Sequence, residues 1–233
     1  MAERDSLTGD RPDSGWIVRD AIPVDDAAAC LDIYAPFVRD TFVSFEERVP
    51  TLEDFAERIR AATATHAWLV LELAGQVVGY AYASAHRSRA AYRWAADVTV
   101  YIDPSYRRAG AGRRLYTELL ERLRRQRFEV ACAGITLPND ASVGLHRAMG
   151  FEPVGVYKRI GWKMGDWRDV GWWQLELTPA TGSSTRTARS DRGLGGAGRP
   201  PCRSLLQGGD PRVDEFGDRL RMVVKRALGS PAP

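Results

Sequence analysis

The sequence predicts an α/β chain of the α+β type, and three observations carry that reading. Short runs with period-two alternation and longer runs with helical spacing succeed one another in the order β-α-α-β-β-β-α-β-α-β-β. That order lacks the regular βαβ alternation of a doubly wound fold. Hydrophobic residues make up 44% of the 233 residues, enough to build a core.

The elements follow in order. After a polar leader (1–15), Trp16-Ile-Val-Arg-Asp-Ala reads as a first strand. Residues 25–39 set Ala28, Leu31, Tyr34 and Val38 at helical spacing. Thr51-Leu-Glu-Asp54 resembles a capping box and opens a second helix with Phe55, Ile59 and Ala62 inward. Residues 67–73 and 77–85, joined by Ala74-Gly75-Gln76, form a hairpin. A strand at 94–102 ends at Asp103-Pro104, and the helix at 110–127 lines up Leu115, Leu119, Leu120 and Leu123. Residues 128–136 return as a strand, and a short helix at 140–149 ends at Gly150, the expected glycine after a helix C-terminus. Strands at 154–159 and 172–177 close the domain across a Gly-rich, Trp-rich loop.

All seven tryptophans precede residue 174. From 179 to 233 there are ten Lys or Arg against five Asp or Glu, with nine Gly and six Pro. The folded domain is therefore expected at 16–178, followed by a basic linker at 179–211 expected to be disordered. Val213, Phe216, Leu220, Val223, Val224 and Ala227 then suggest one amphipathic helix within 212–233. The net charge of +3 divides into −2 over residues 1–178 and +5 over residues 179–233. One aromatic, Phe216, is poor equipment for stacking bases, which weighs against nucleic acid as a partner.

No apolar window is long enough to span a membrane, and the acidic leader does not read as a signal peptide. Cys30, Cys132 and Cys202 make no Cys-x-x-Cys pair, and His66, His86 and His146 show no local metal-ligand spacing. A reduced, cytoplasmic, metal-free protein is the expectation.

The segment Arg107-Arg108-Ala109-Gly110-Ala111-Gly112-Arg113 lies between a strand end and a helix start. Glycines let a ligand approach the backbone, the helix N-terminus contributes partial positive charge, and arginine engages phosphate bidentately. A pyrophosphate suits that loop; a solvated basic connection is the alternative. It is no P-loop, which needs G-x-x-x-x-G-K-[ST], and the third glycine of a dinucleotide fingerprint is replaced by Leu115.

Strand, Arg107-x-x-Gly110-x-Gly112, helix resembles the acetyl-coenzyme A loop of the GNAT N-acetyltransferases. Trp94-Ala-Ala-Asp-Val-Thr-Val-Tyr-Ile102, Leu137-Pro-Asn-Asp-Ala-Ser142, Leu145-His-Arg-Ala-Met-Gly-Phe151 and Gly165-Asp-Trp-Arg-Asp-Val-Gly-Trp-Trp-Gln174 are similar to the phosphinothricin N-acetyltransferase family. The similarity spans about residues 16–177 and leaves out leader and tail.

The resemblance implies the GNAT fold, a central mixed, mostly antiparallel sheet flanked by helices, with acetyl-CoA as co-substrate. It implies a gap beside the strand before the loop, where Val100, Tyr101 and Ile102 would offer backbone groups to the pantetheine arm and an N–H would face the thioester oxygen. Residues 108–113 would cradle the pyrophosphate, with Arg107 leading into them, and Asn139 would contact the coenzyme unless it caps its helix.

Asp97 stands where the family has a glutamate, one methylene longer, so a bridging water or a shifted substrate would be needed. Asp97 would take the proton from the substrate ammonium, or pair with an arginine. His146 matches the family's second acid–base position; a half-buried helix histidine is the alternative. Arg87, Arg89 and Tyr92 would hold a small, doubly anionic amino acid such as phosphinothricin or methionine sulfoximine or sulfone. Phe45 and Tyr34 would wall the pocket or pack in the core. Trp162, Trp167, Trp172 and Trp173 fall to structure or a subunit interface, and a homodimer is expected. A GNAT enzyme for another amine and a non-catalytic acetyl-CoA binder stand as alternatives.

Overall fold

The computed structural model describes residues 15–177. The expectations for the leader, linker and tail helix, and for Cys202, lie outside the described residues. Seven strands form one sheet: β1 (Trp16–Asp20), β2 (Trp68–Leu73), β3 (Gln76–Ala85), β4 (Ala95–Ile102), β5 (Val130–Leu137), β6 (Glu152–Lys163) and β7 (Asp166–Glu176). Their order is β1-β2-β3-β4-β5-β7-β6. Every neighbour pair is antiparallel except β4 with β5. Four helices accompany them: α1 (Pro23–Asp40), α2 (Leu52–Thr65), α3 (Ala111–Arg125) and α4 (Asp140–Ala148).

Strand alternation divides the apolar residues between two cores on opposite sheet faces. Leu69, Leu71, Ala81, Ala83, Ala96 and Val98 face α3, whose Leu115, Leu119 and Leu123 are fully buried. Trp68, Val70 and Tyr80 face the other way, onto Ile33, Val38, Phe55 and Ile59 of α1 and α2. The helices thus cover both sheet faces, each turning its apolar stripe onto the strands.

Local signals set the helix ends. Thr51 Oγ1 accepts from the N–H of Asp54 (3.1 Å) and caps α2. Gly150 takes φ +89° directly after α4. The loop expected between the last strands is absent: β6 and β7 run on to a two-residue turn at Met164-Gly165, with φ of +54° and +76°. Both residues in the left-handed region make the turn that matches strand twist, so Trp162 and Trp167 sit opposite each other on paired strands.

Candidate active site

Strand β4 is the centre of the site because it loses one neighbour half-way. Its pairing with β3 runs from Ala96 to Ile102, but its pairing with β5 stops at Asp97↔Cys132. Beyond that, β5 stays with β7 as far as Leu137. Residues 98–102 thus border a gap in the sheet.

Hydrogen-bond parity identifies the groups that line it. The N–H of Asp103 bonds Val78 C=O (3.0 Å), while Trp94 C=O accepts from Val130 (3.2 Å). Antiparallel residues turn both backbone groups to the same side and alternate along the strand. Odd residues of β4 therefore turn to β3, and Val98, Val100 and Ile102 turn theirs into the gap. This corrects the expectation for Tyr101, whose backbone pairs with Tyr80 and whose ring packs against Tyr34 and Phe37 at 5.0 Å.

The loop after β4 leads to an unprotected helix end. Gly110, at φ +89°, is the N-cap of α3 and offers no side-chain cap. The first helical bond is Arg114 N–H to Gly110 C=O (3.0 Å), so the N–H groups of Ala111, Gly112 and Arg113 lack helical partners. The first turn carries no acid and holds Arg113 and Arg114, the charge sign that a helix N-terminus disfavours. An anion at this end would relieve both defects, and a pyrophosphate fits. Arg108 and Arg113 are exposed there beside Ala109, whereas the Arg107 guanidinium lies over the Phe37 ring at 5.5 Å. Gly112 has a reason other than ligand approach: a β-carbon there would come within 2.9 Å of Leu145 Cδ2, so the glycine lets α3 close on α4.

At the fork of β4 and β5, Asp97 Oδ1 lies 2.6 Å from His86 Nδ1. His86 directly follows β3, and Asp97 pairs with Ser84, which makes His86 and Asp97 diagonal neighbours on one face. The His86 ring meets Tyr92 and Trp172 edge-on, each at 5.8 Å. Cys132, opposite Asp97 on β5, brings its Sγ within 4.8 Å of the carboxylate and imidazole atoms. Nitrogen, oxygen and sulfur so placed form a ligand set in principle. The 2.6 Å separation is a hydrogen bond, however; two ligands on one tetrahedral zinc stand about 3.3 Å apart, given bonds of about 2.0 Å.

Residues 20–172 match the family model of the acetyltransferase (GNAT) domain. The chain belongs to the GNAT family. A phosphinothricin N-acetyltransferase of Streptomyces viridochromogenes is 38% identical to this GNAT domain over 160 residues, 69% of this chain and 87% of the relative. An L-methionine sulfoximine/L-methionine sulfone acetyltransferase of Pseudomonas aeruginosa is 35% identical over 167 residues, 70% of this chain and 95% of the relative. A solved GNAT superfamily phosphinothricin acetyltransferase from Sinorhizobium meliloti, in complex with acetyl-CoA, superposes with a TM-score of 0.69 at 34% identity, covering 73% of this chain and 92% of that one. This GNAT protein is an acetyl-CoA-dependent N-acetyltransferase. The coenzyme supplies the acetyl thioester, and the open β4 edge with the bare α3 terminus fits its pantetheine and pyrophosphate.

The remaining predicted residues of the GNAT site scatter. His146 is buried, 3% exposed. Its Nδ1 donates to Ser142 C=O (2.8 Å), and its Nε2 accepts from Tyr116 Oη (3.1 Å). Burial pushes its pKa below the ordinary histidine value, outweighing the Ser142 bond. Burial also pushes the Tyr116 phenol far up, so it stays a neutral donor. An acid–base histidine needs a ring nitrogen open to the site, and His146 has both engaged in the core.

Asn139 caps α4, its Oδ1 accepting from Ser142 N–H (3.1 Å). Phe45 packs over Gly161 of β6, leaving no room for a β-carbon there. Tyr34 belongs to the core and shares a hydrogen bond with Ser44 (2.7 Å). Tyr92 joins the site through His86; Arg87 and Arg89 are exposed in the connection between β3 and β4. Trp173 is core, Trp172 walls the Asp97 site, and Trp162 and Trp167 are half exposed. Sequence reasoning missed His86; its one signal was its place at the end of a predicted strand facing the strand of Asp97.

Proposed function

We propose that this acetyltransferase moves acetyl from acetyl-CoA to the α-amine of a small anionic amino acid, with phosphinothricin and methionine sulfoximine or sulfone as candidate acceptors. The observation that carries it is the position of Asp97 at the point where β4 leaves β5: a thioester held along the gap ends beside a proton acceptor. The activities of the relatives support the acceptor class.

In this reading the N–H groups of Val100 and Ile102 hold the pantetheine, and one N–H of the gap faces the thioester oxygen. The N–H groups of residues 111–113, with Arg108 and Arg113, hold the pyrophosphate. Asn139 contributes to the coenzyme site by fixing the start of α4. Arg87, Arg89 and Tyr92 meet the acceptor's anionic groups, and Phe45 borders its pocket. His146 serves by anchoring α4 to α3.

Acetylating a toxic amino acid analogue is detoxification, and resistance to such a herbicide is its consequence. Among the described residues no helix is long and apolar enough to cross a membrane. We place the enzyme in the cytoplasm, where cysteines outside disulfides, such as Cys30 and Cys132, are at home. We also infer a homodimer, because the β6–β7 hairpin exposes Val154, Tyr157, Trp162, Met164 and Trp167 together.

The test is free-thiol release from acetyl-CoA with phosphinothricin, methionine sulfoximine and glutamate in parallel, beside Asp97→Ala. Turnover with either analogue, lost in the variant, is expected. Silence on all three despite acetyl-CoA binding overturns the acceptor assignment.

A further inference from the structure

We propose that His86 is the general base of this acetyltransferase and that Asp97 is the residue that positions it. The inference rests on the acetyl-transfer reading above and changes which atom receives the proton.

Asp97 is one methylene shorter than the glutamate that the family similarity leads one to expect, so its carboxylate stays close to β4. What lies against it is an imidazole. Nδ1 of His86 is 2.6 Å from Oδ1, on the diagonal cross-strand position that lets a short acid and a planar ring meet without bending either strand. A carboxylate only accepts, so the hydrogen of the neutral ring sits on Nδ1 and the lone pair on Nε2, the atom directed away from Asp97. The ring width makes up for the missing methylene and carries the proton-accepting atom beyond the reach of the aspartate.

The surroundings fit that use. The His86 side chain is 17% exposed and that of Asp97 27%, so an amine can reach the pair. His146, at 3%, is closed to it. Trp172 and Tyr92 meet the ring edge-on and hold its plane. Among the described residues, the titratable groups around His86 include Asp97 from β4, Cys132 from β5, Tyr92 from the short turn before β4, and its chain neighbour Arg87.

The step balances without another reactant. Nε2 takes one proton from the acceptor ammonium and becomes imidazolium beside the Asp97 carboxylate. The freed amine forms a bond to the acetyl carbon while the carbon–sulfur bond breaks. The departing thiolate takes up a second proton from the amine nitrogen, and His86 returns the first to water.

Two measurements on the full chain test the proposal. Nitrogen-15 NMR of the imidazoles, which needs no acceptor, should find neutral His86 with its proton on Nδ1, and Asp97→Asn should abolish that preference. In kinetics, His86→Gln should lower kcat by about 10²-fold or more while acetyl-CoA still binds as in the parent. A wild-type His86 protonated on Nε2, or a kcat loss in His86→Gln below about tenfold, overturns the proposal. If the wild type turns over none of the three amino acids, the acceptor assignment fails alone, and the NMR result still decides His86. It decides equally if His86→Gln does not fold.

Discussion

Removing one oxygen atom, by Tyr116→Phe, separates a packing histidine from a catalytic one. The Tyr116 ring is fully buried and would keep its contacts with Phe151 and His146 as phenylalanine. What disappears is the 3.1 Å hydrogen bond to His146 Nε2. That nitrogen cannot turn to another donor, because Nδ1 holds the ring to Ser142 C=O at 2.8 Å. A buried acceptor left without a donor costs about 1–3 kcal/mol. For a domain of this size each kcal/mol lowers Tm by about 2–4 °C, so about 2 kcal/mol predicts a drop of about 6 °C. Calorimetry measures it, and thiol release beside it should give a kcat near that of the parent. Combining the change with His146→Leu removes both polar partners, and the double variant should recover part of the loss. An unchanged Tm together with a hundredfold fall in kcat would refute the reasoning and return His146 to acid–base work.

Three further outcomes follow from the same geometry. Burial holds His146 and His66 below the ordinary histidine value, so the unfolded chain binds protons that the folded one refuses. Stability should be complete above about pH 6.5 and decline as pH falls below it, and a flat Tm between about pH 7 and about pH 5 would contradict this. Gly110→Ala places a side chain at φ +89° where space is open, so it should cost about 1–2 kcal/mol in urea unfolding and raise KM for acetyl-CoA more than it lowers kcat. Thr99→Pro and Val100→Pro should diverge: the first deletes a bond to β3 and destabilises the sheet, whereas the second deletes an N–H of the gap and weakens acetyl-CoA binding in calorimetric titration.

Features carried by neighbouring residues were legible before the structure. The cap at Thr51, the stop at Gly150 and the arginine–glycine run at 107–113 each act within one turn of chain, where spacing and chemistry coincide. The last hairpin was not, because bulges between Pro153 and Gly155 and between Tyr157 and Gly161 break the alternation that marks a strand. Nor does Met164 announce itself as a left-handed turn residue. The site divided along the same line. Asp97 was visible as a carboxylate in an apolar strand, but its partner depends on the register of β3 against β4. The confinement of His146 depends on Tyr116, thirty residues away on another helix. Gly112 sits at a close approach that spacing alone assigns to a ligand, whereas the near neighbour is Leu145, on another helix.

The three residue pairs that join β4 to β5 are a narrow seam for a seven-stranded sheet. On one side lie β1 to β4, on the other β5, β7 and β6. A coenzyme arm lying along Val98, Val100 and Ile102 would act as a stretch of missing strand and lace the halves together. Amide hydrogens at those positions should then exchange slowly only when the coenzyme is bound. The fold's resistance to unfolding becomes a function of metabolic state, rising by about 2.7 kcal/mol when free acetyl-CoA stands a hundredfold above its dissociation constant. A cell short of acetyl donor would hold not just an idle enzyme but a looser one.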